Sequence, residues 1–145
     1  MNFDFYIFDL DGTLLNLGNM GNYAETNLIE TLKRLNIFPL PSKTERYKLW
    51  HSGEKFDKVL RDWGINDSNE FWQYYDQTDF ETRKILLKDK KLKLYKDAEN
   101  ILIKIYKHEE NKKLALCTNT ANYIANYCLK HFNIYLYFHE IYITF

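Results

Sequence analysis

Near the start of the chain four apolar residues, Phe5-Tyr6-Ile7-Phe8, run directly into Asp9-Leu10-Asp11-Gly12-Thr13-Leu14. This junction constrains the fold more than any other stretch. An apolar run of strand length, bounded by turn residues, fits a strand covered on both faces, as in a parallel sheet. Open sheets of that kind collect their ligands at the carboxyl ends of the strands. Asp9 is therefore expected over the sheet's edge, with Asp11 following on the turn that Gly12 permits. The plain alternative is an Asx-type turn, because Asp-Gly pairs are common turn formers.

The second half of the chain supplies partners for such a strand. Leu114-Ala115-Leu116-Cys117 reads as a short buried strand, and Tyr137 to Thr144 as a third. Between them, Ile124, Ala125, Cys128, Leu129 and Phe132 recur at helical spacing, with Thr120 as the expected cap. Before them, Ala98, Ile101, Leu102, Ile105 and Tyr106 define another amphipathic helix, and Glu110-Asn111-Lys112-Lys113 turns the chain. Strand, helix, strand, helix, strand implies parallel pairing with right-handed crossovers.

The intervening segment carries no strand pattern. Asn16 to Asn22 holds two glycines and three asparagines, which is loop or hinge chemistry. Ala24, Leu28, Thr31, Leu32 and Leu35 share one helical face, with Asn36 as a stop. Ser42 with Glu45 three residues on is a capping-box pattern, and Pro39 and Pro41 force an extended break before it. Phe56, Val59, Leu60 and Trp63 form a further helical face ended by Gly64. Asp67 or Ser68 then caps a longer helix bearing Phe71, Trp72 and Tyr75, and Ile85 to Leu87 close the region. The expected organisation is an α/β core over residues 1–16 and 91–145, Rossmann-like with about three parallel strands, and a helical insert over 17–90.

Composition narrows the function classes. Lys+Arg and Asp+Glu are 20 each, so no basic footprint for nucleic acid or an anionic membrane is expected. No apolar stretch reaches the length of a membrane span, and Asp4 and Asp9 interrupt the N-terminal apolar run, so a cytoplasmic location is expected. Cys117 and Cys128 fall within apolar patterns and read as small buried hydrophobes rather than a disulfide framework. His51, His108, His131 and His139 lack metal-ligand spacing. Aromatic residues make up 17% of the chain, and with no basic stripe beside them they read as packing rather than base stacking.

Asp9, Asp11, Gly12 and Thr13 match the first signature of the haloacid dehalogenase superfamily, Asp-x-Asp-Gly-Thr, without a mismatch. Thr118-Asn119, directly after the Leu114 to Cys117 strand, matches the second, a Ser or Thr commonly followed by Asn. That pair alone is weak, since any strand-to-helix turn favours Thr and Asn. The chain thus resembles the phosphoglycolate-phosphatase-like members of the superfamily, whose helical cap is inserted between the first and second core strands. The resemblance implies a magnesium-dependent phosphatase acting on a small phosphorylated metabolite. It assigns Asp9 as nucleophile, Asp11 as acid and base, and both as magnesium-side residues. Leu10, Thr118 and Asn119 are then the phosphate contacts. A carboxylate at Asp11 points to phosphate esters rather than organohalides, because ester cleavage needs a leaving-group acid there.

Trp50-His51-Ser52-Gly53-Glu54-Lys55 is similar to the loop with which such caps reach toward the substrate. His51, Lys55 and Arg46 are candidates to meet a second anionic group, against the plainer reading of solvated helix surface. Two further family signatures, a Lys after the third core strand and an acidic pair on the fourth, have no match among the 145 residues. The expectation is accordingly a C-terminally truncated phosphatase. Its alternative is a non-catalytic relative that binds phosphate, serves as an interaction protein, or is completed by another chain. Without the fourth strand the Phe3 to Phe8 strand becomes an exposed edge, and the polypeptide is expected either to be a fragment of a longer phosphatase or to self-associate through that edge.

Overall fold

The computed structural model describes residues 5–51, 53–108 and 113–144. The expected strand start at Phe3, Ser52 of the loop and the turn over Glu110-Asn111-Lys112 lie outside those residues. In chain order the elements are β1 (Phe5–Phe8), β2 (Leu15–Asn16), α1 (Met20–Arg34), α2 (Lys43–His51), α3 (Phe56–Asp62), α4 (Ser68–Lys88), β3 (Lys93–Leu94), α5 (Ala98–His108), β4 (Lys113–Thr118), α6 (Asn122–His131) and β5 (Glu140–Ile143). Two compact units result, Met1–Gly18 with Leu86–Phe145, and Asn19–Ile85.

The first unit is an α/β core. Its sheet has the order β1-β4-β5, all parallel, with Phe8 opposite Leu116 and Thr118 opposite Ile143. Central β4 buries Leu114, Ala115 and Leu116 in succession, as a strand with neighbours on both sides should. Leu10, Leu14, Leu102, Ile124 and Leu129 are buried beside them. Strand β1 departs from the expected coverage of both faces: Phe5 and Ile7 are 59% and 69% exposed, while Tyr6 and Phe8 are half-buried. An apolar run identifies the strand, but at a sheet's end only alternate side chains are taken up. The third strand is also shorter than its apolar pattern, because Tyr135–Tyr137 form a 3-10 turn before it.

Strands β2 and β3 pair antiparallel, Leu15 with Leu94 and Asn16 with Lys93, and the Tyr95 N–H donates to the Leu14 carbonyl at 2.9 Å. This ribbon was not expected. A two-residue strand carries no periodicity, and Asn16 reads locally as loop.

The second unit contains α1 to α3 and α4 as far as Ile85, and no strand among its described residues. Each helix end has a local cause. The Asn19 side chain accepts the Asn22 N–H at 2.9 Å to open α1, and Asn36 at φ 57° ends it. Ser42 and Glu45 form the reciprocal box at the start of α2: the Ser42 N–H donates to Glu45 at 2.7 Å, and the Glu45 N–H to the Ser42 hydroxyl at 3.3 Å. Gly64 at φ 83° stops α3. Asp67 caps α4, accepting from the Asn69 and Glu70 N–H groups at 2.9 and 3.1 Å. The helices bury Leu28, Leu32, Leu49, Leu60, Ile65 and Phe71 in one cluster, with Phe56, Trp63, Trp72 and Tyr75 packed against it.

A buried polar group sits beside this cluster. Asp79 accepts from Arg83 Nε at 2.9 Å, from Asn27 Nδ2 at 3.1 Å and from the Tyr23 hydroxyl. The Thr82 hydroxyl donates to Asn27 Oδ1 at 2.8 Å. A buried carboxylate with several donors of this kind meets the requirement that interior charge be paired and hydrogen-bonded. Burial pushes the Tyr23 phenol far above its ordinary range, so it stays protonated as a donor.

Candidate active site

After β1 the chain folds into a tight turn. The Leu14 and Leu15 N–H groups both donate to the Leu10 carbonyl, at 2.9 and 2.8 Å, and the Gly12 N–H donates to the Leu15 carbonyl at 2.9 Å. Gly12 adopts φ 77°, which a side chain would strain. Leu10 and Leu14 are buried at 0% and 2% exposure, which anchors the turn to the core. Asp9 is exposed, and its Oδ1 accepts the Leu10 N–H at 2.7 Å. Asp11 is half-buried.

The second turn stands at the same end of the neighbouring strand. Thr118 is the last residue of β4 and only 3% exposed, while Asn119 is exposed. Its carbonyl accepts the Thr144 N–H at 3.0 Å and the Thr144 hydroxyl at 3.3 Å, and that hydroxyl also meets Asn119 Oδ1. The end of β5 thus pins the Thr118-Asn119 turn. The Thr120 N–H donates to the Thr118 hydroxyl at 3.2 Å, and the Thr120 hydroxyl donates to Asp11 Oδ2 at 2.8 Å. Asp9, Leu10, Asp11, Thr118 and Asn119 are therefore gathered at the carboxyl ends of two paired parallel strands, the position where such sheets bind ligands.

Thr120 corrects one expectation. It does not cap α6: the N-cap is Ala121, and no side chain there bonds the helix. Its hydroxyl goes to Asp11 instead. Thr144 and Thr120 are the two site residues that the sequence reading missed in these roles. Nothing in the string Thr-Asn-Thr distinguishes a helix cap from a cross-strand donor.

The remaining candidates lie in the helical unit. His51 ends α2, stacks on Tyr47 with ring centroids 3.8 Å apart, and its Nδ1 lies 2.9 Å from the Tyr47 carbonyl. Lys55 is exposed on the 3-10 turn Gly53–Lys55. Arg46 is committed elsewhere: its Nε donates to Glu25 at 2.9 Å, and it also meets the Pro41 carbonyl. Cys128 is buried and Cys117 half-buried, and neither is in a disulfide.

The donor set suits a hard divalent cation. Magnesium is commonly bound through one or two carboxylates together with phosphate oxygens and water. An exposed Asp9 and a half-buried Asp11 two residues on are a pair of that kind. No group of three or more His, Cys, Asp or Glu able to hold a metal occurs among the described residues.

Comparison with known proteins agrees with this geometry. The model of the family described as haloacid dehalogenase-like hydrolase matches residues 6–145. Among solved structures, YfnB of Bacillus subtilis, assigned as a HAD-hydrolase and bound to magnesium, aligns with a TM-score of 0.58 at 18% identity, covering 99% of this chain and 66% of its own. A predicted phosphoglycolate phosphatase from Haemophilus somnus aligns with a TM-score of 0.56 at 21% identity, covering 97% and 62%. A haloacid dehalogenase-like family protein from Streptococcus pneumoniae gives 0.54 at 16% identity, covering 98% and 61%. At these identities the likeness is one of fold, and the chain spans under two thirds of each structure's length. A search of curated proteins returned no match. A family match running from the first strand to the last residue, over a parallel core with its carboxylate turn in place, means that the chain belongs to the haloacid dehalogenase-like hydrolase family.

Proposed function

We propose that the protein is a magnesium-dependent phosphatase that acts on a small phosphorylated metabolite through an aspartyl-phosphate on Asp9. The observation that carries the reading is the junction of the two turns, with Asp11 on one hydrogen-bonded to Thr120 on the other. In the first half-reaction an Asp9 carboxylate oxygen attacks phosphorus and the bond to the leaving oxygen breaks. Asp11 delivers its proton to that oxygen, so a neutral alcohol departs. Asp11, now ionised, takes a proton from water as the water oxygen attacks the same phosphorus. Inorganic phosphate leaves and the Asp9 carboxylate is restored. The Thr118 hydroxyl, Asn119 and the Leu10 backbone are assigned to the phosphate oxygens, near the start of α6. Magnesium, held by Asp9 and Asp11, would supply charge screening between the carboxylate and the phosphate.

Substrate choice is assigned to His51 and Lys55, and the cellular setting to the cytoplasm, in keeping with the neutral composition. No helix among the described residues is long and apolar enough to cross a membrane. The test is hydrolysis of p-nitrophenyl phosphate with and without magnesium, beside Asp9→Asn. Magnesium-dependent activity that vanishes in the variant is the expected result. A folded chain with no activity above Asp9→Asn would replace this reading with that of a non-catalytic, phosphate-binding relative.

A further inference from the structure

We infer that Thr120 is the positioning residue for the acid and base Asp11, an inference that rests on the reading of Asp11 given above. Three observations lead there. The Thr120 hydroxyl donates to Asp11 Oδ2 at 2.8 Å across a separation of 109 residues. The adjoining helix has Ala121 at its N-cap with no side-chain cap, so Thr120 lies one residue before the cap position and its hydroxyl goes to Asp11. Its own backbone is fixed, because its N–H is held by the buried Thr118 hydroxyl at 3.2 Å and that turn is pinned by Thr144.

The chemistry of a hydroxyl fits the task. Asp11 alternates between carboxylate and carboxylic acid during turnover. A carboxylate can only accept, whereas the acid form also carries a donor. A hydroxyl can donate to the first and accept from the second, so the contact persists in both states. A Thr side chain is also stiff at its first torsion, which makes it a firmer strut than Ser. The half-buried Asp11 carboxyl is thereby held against the second turn in both protonation states. Valine fills the same space and can do neither half of this.

The experiment compares Thr120→Val and Thr120→Ser with the parent on two substrates, glycerol phosphate and p-nitrophenyl phosphate. The parameter is kcat/KM, which covers binding and the first phosphoryl transfer but not hydrolysis of the aspartyl-phosphate. An alkoxide needs the proton that Asp11 delivers, and p-nitrophenolate scarcely does. Thr120→Val is expected to lose roughly 10- to 100-fold on glycerol phosphate and less than about threefold on p-nitrophenyl phosphate, with Thr120→Ser recovering most of the loss. Equal losses on both substrates, or none, would overturn the inference while leaving the phosphatase reading intact if Asp9→Asn is dead. If the parent itself lacks Asp9-dependent activity, the phosphatase reading fails, and crystal structures of parent and Thr120→Val decide the contact separately. An Asp11 carboxylate that keeps its position in the valine variant refutes the positioning role, and one that swings away supports it.

Discussion

Thr120 stands two residues before the first turn of α6 yet serves a carboxylate from the opposite end of the sequence. Residue type alone could not reveal that choice. Asp9, Asp11, Thr118 and Asn119 were legible because each sits where a strand pattern breaks, and strand ends are where such a sheet exposes its ligands. Thr120 and Thr144 were not, because hydroxyl partners are decided by which turns become neighbours in space. The same diversion leaves the start of α6 with Ala121 at its N-cap, a position where Ser, Thr, Asp or Asn is worth about 1 kcal/mol more than Ala. Ala121→Ser should therefore raise the stability of the core unit by about 1 kcal/mol, read as a higher urea midpoint by circular dichroism. An unchanged midpoint would mean that the first turn of α6 is already satisfied by its surroundings.

The helices were the most readable elements, since capping and periodicity agree in each. Ser42 with Glu45, Gly64 and Asp67 all act where the chain pattern put them. What no pattern announced is the polar set buried along α4, because Asp79 and Arg83 at this spacing read equally well as a solvated ion pair. Their burial has a consequence one turn earlier on the same helix. Desolvation, and then the Asp79 charge, push the Asp76 carboxyl from 3.8 up to about 6. Between those values the folded chain holds more protons than the unfolded one, so this group's contribution to stability falls as pH rises and is fully lost above about 6. Asp76→Asn should be more stable than the parent at pH 7, with the gap closing as pH drops toward 4. Trp50, Trp63 and Trp72 all belong to the helical unit, so tryptophan fluorescence during urea unfolding follows the unit concerned. A gap that is the same at every pH would rule out Asp76 as its source.

At the scale of the whole molecule, β1 is the end strand of its sheet, and among the described residues it pairs with β4 alone. With Phe5 and Ile7 largely exposed, that edge presents apolar surface suited to pairing with another chain. Light scattering should show association that increases with protein concentration, and Ile7→Lys, which places a charge on the edge, should suppress it. A parent that remains a monomer at high concentration would refute the role of this edge. The fold class was readable here because parallel strands and crossover helices alternate along the chain. The β2–β3 ribbon was invisible, yet it closes the core where the helical insert begins and ends. Its pairing of Leu15 with Leu94 and Asn16 with Lys93 brings the outgoing and returning chain side by side at a single neck. Antiparallel neighbours of this kind can be joined by a two-residue turn. In modular terms, everything between Asn16 and Lys93 is a cassette with one point of entry and exit, which a short turn across the ribbon could replace.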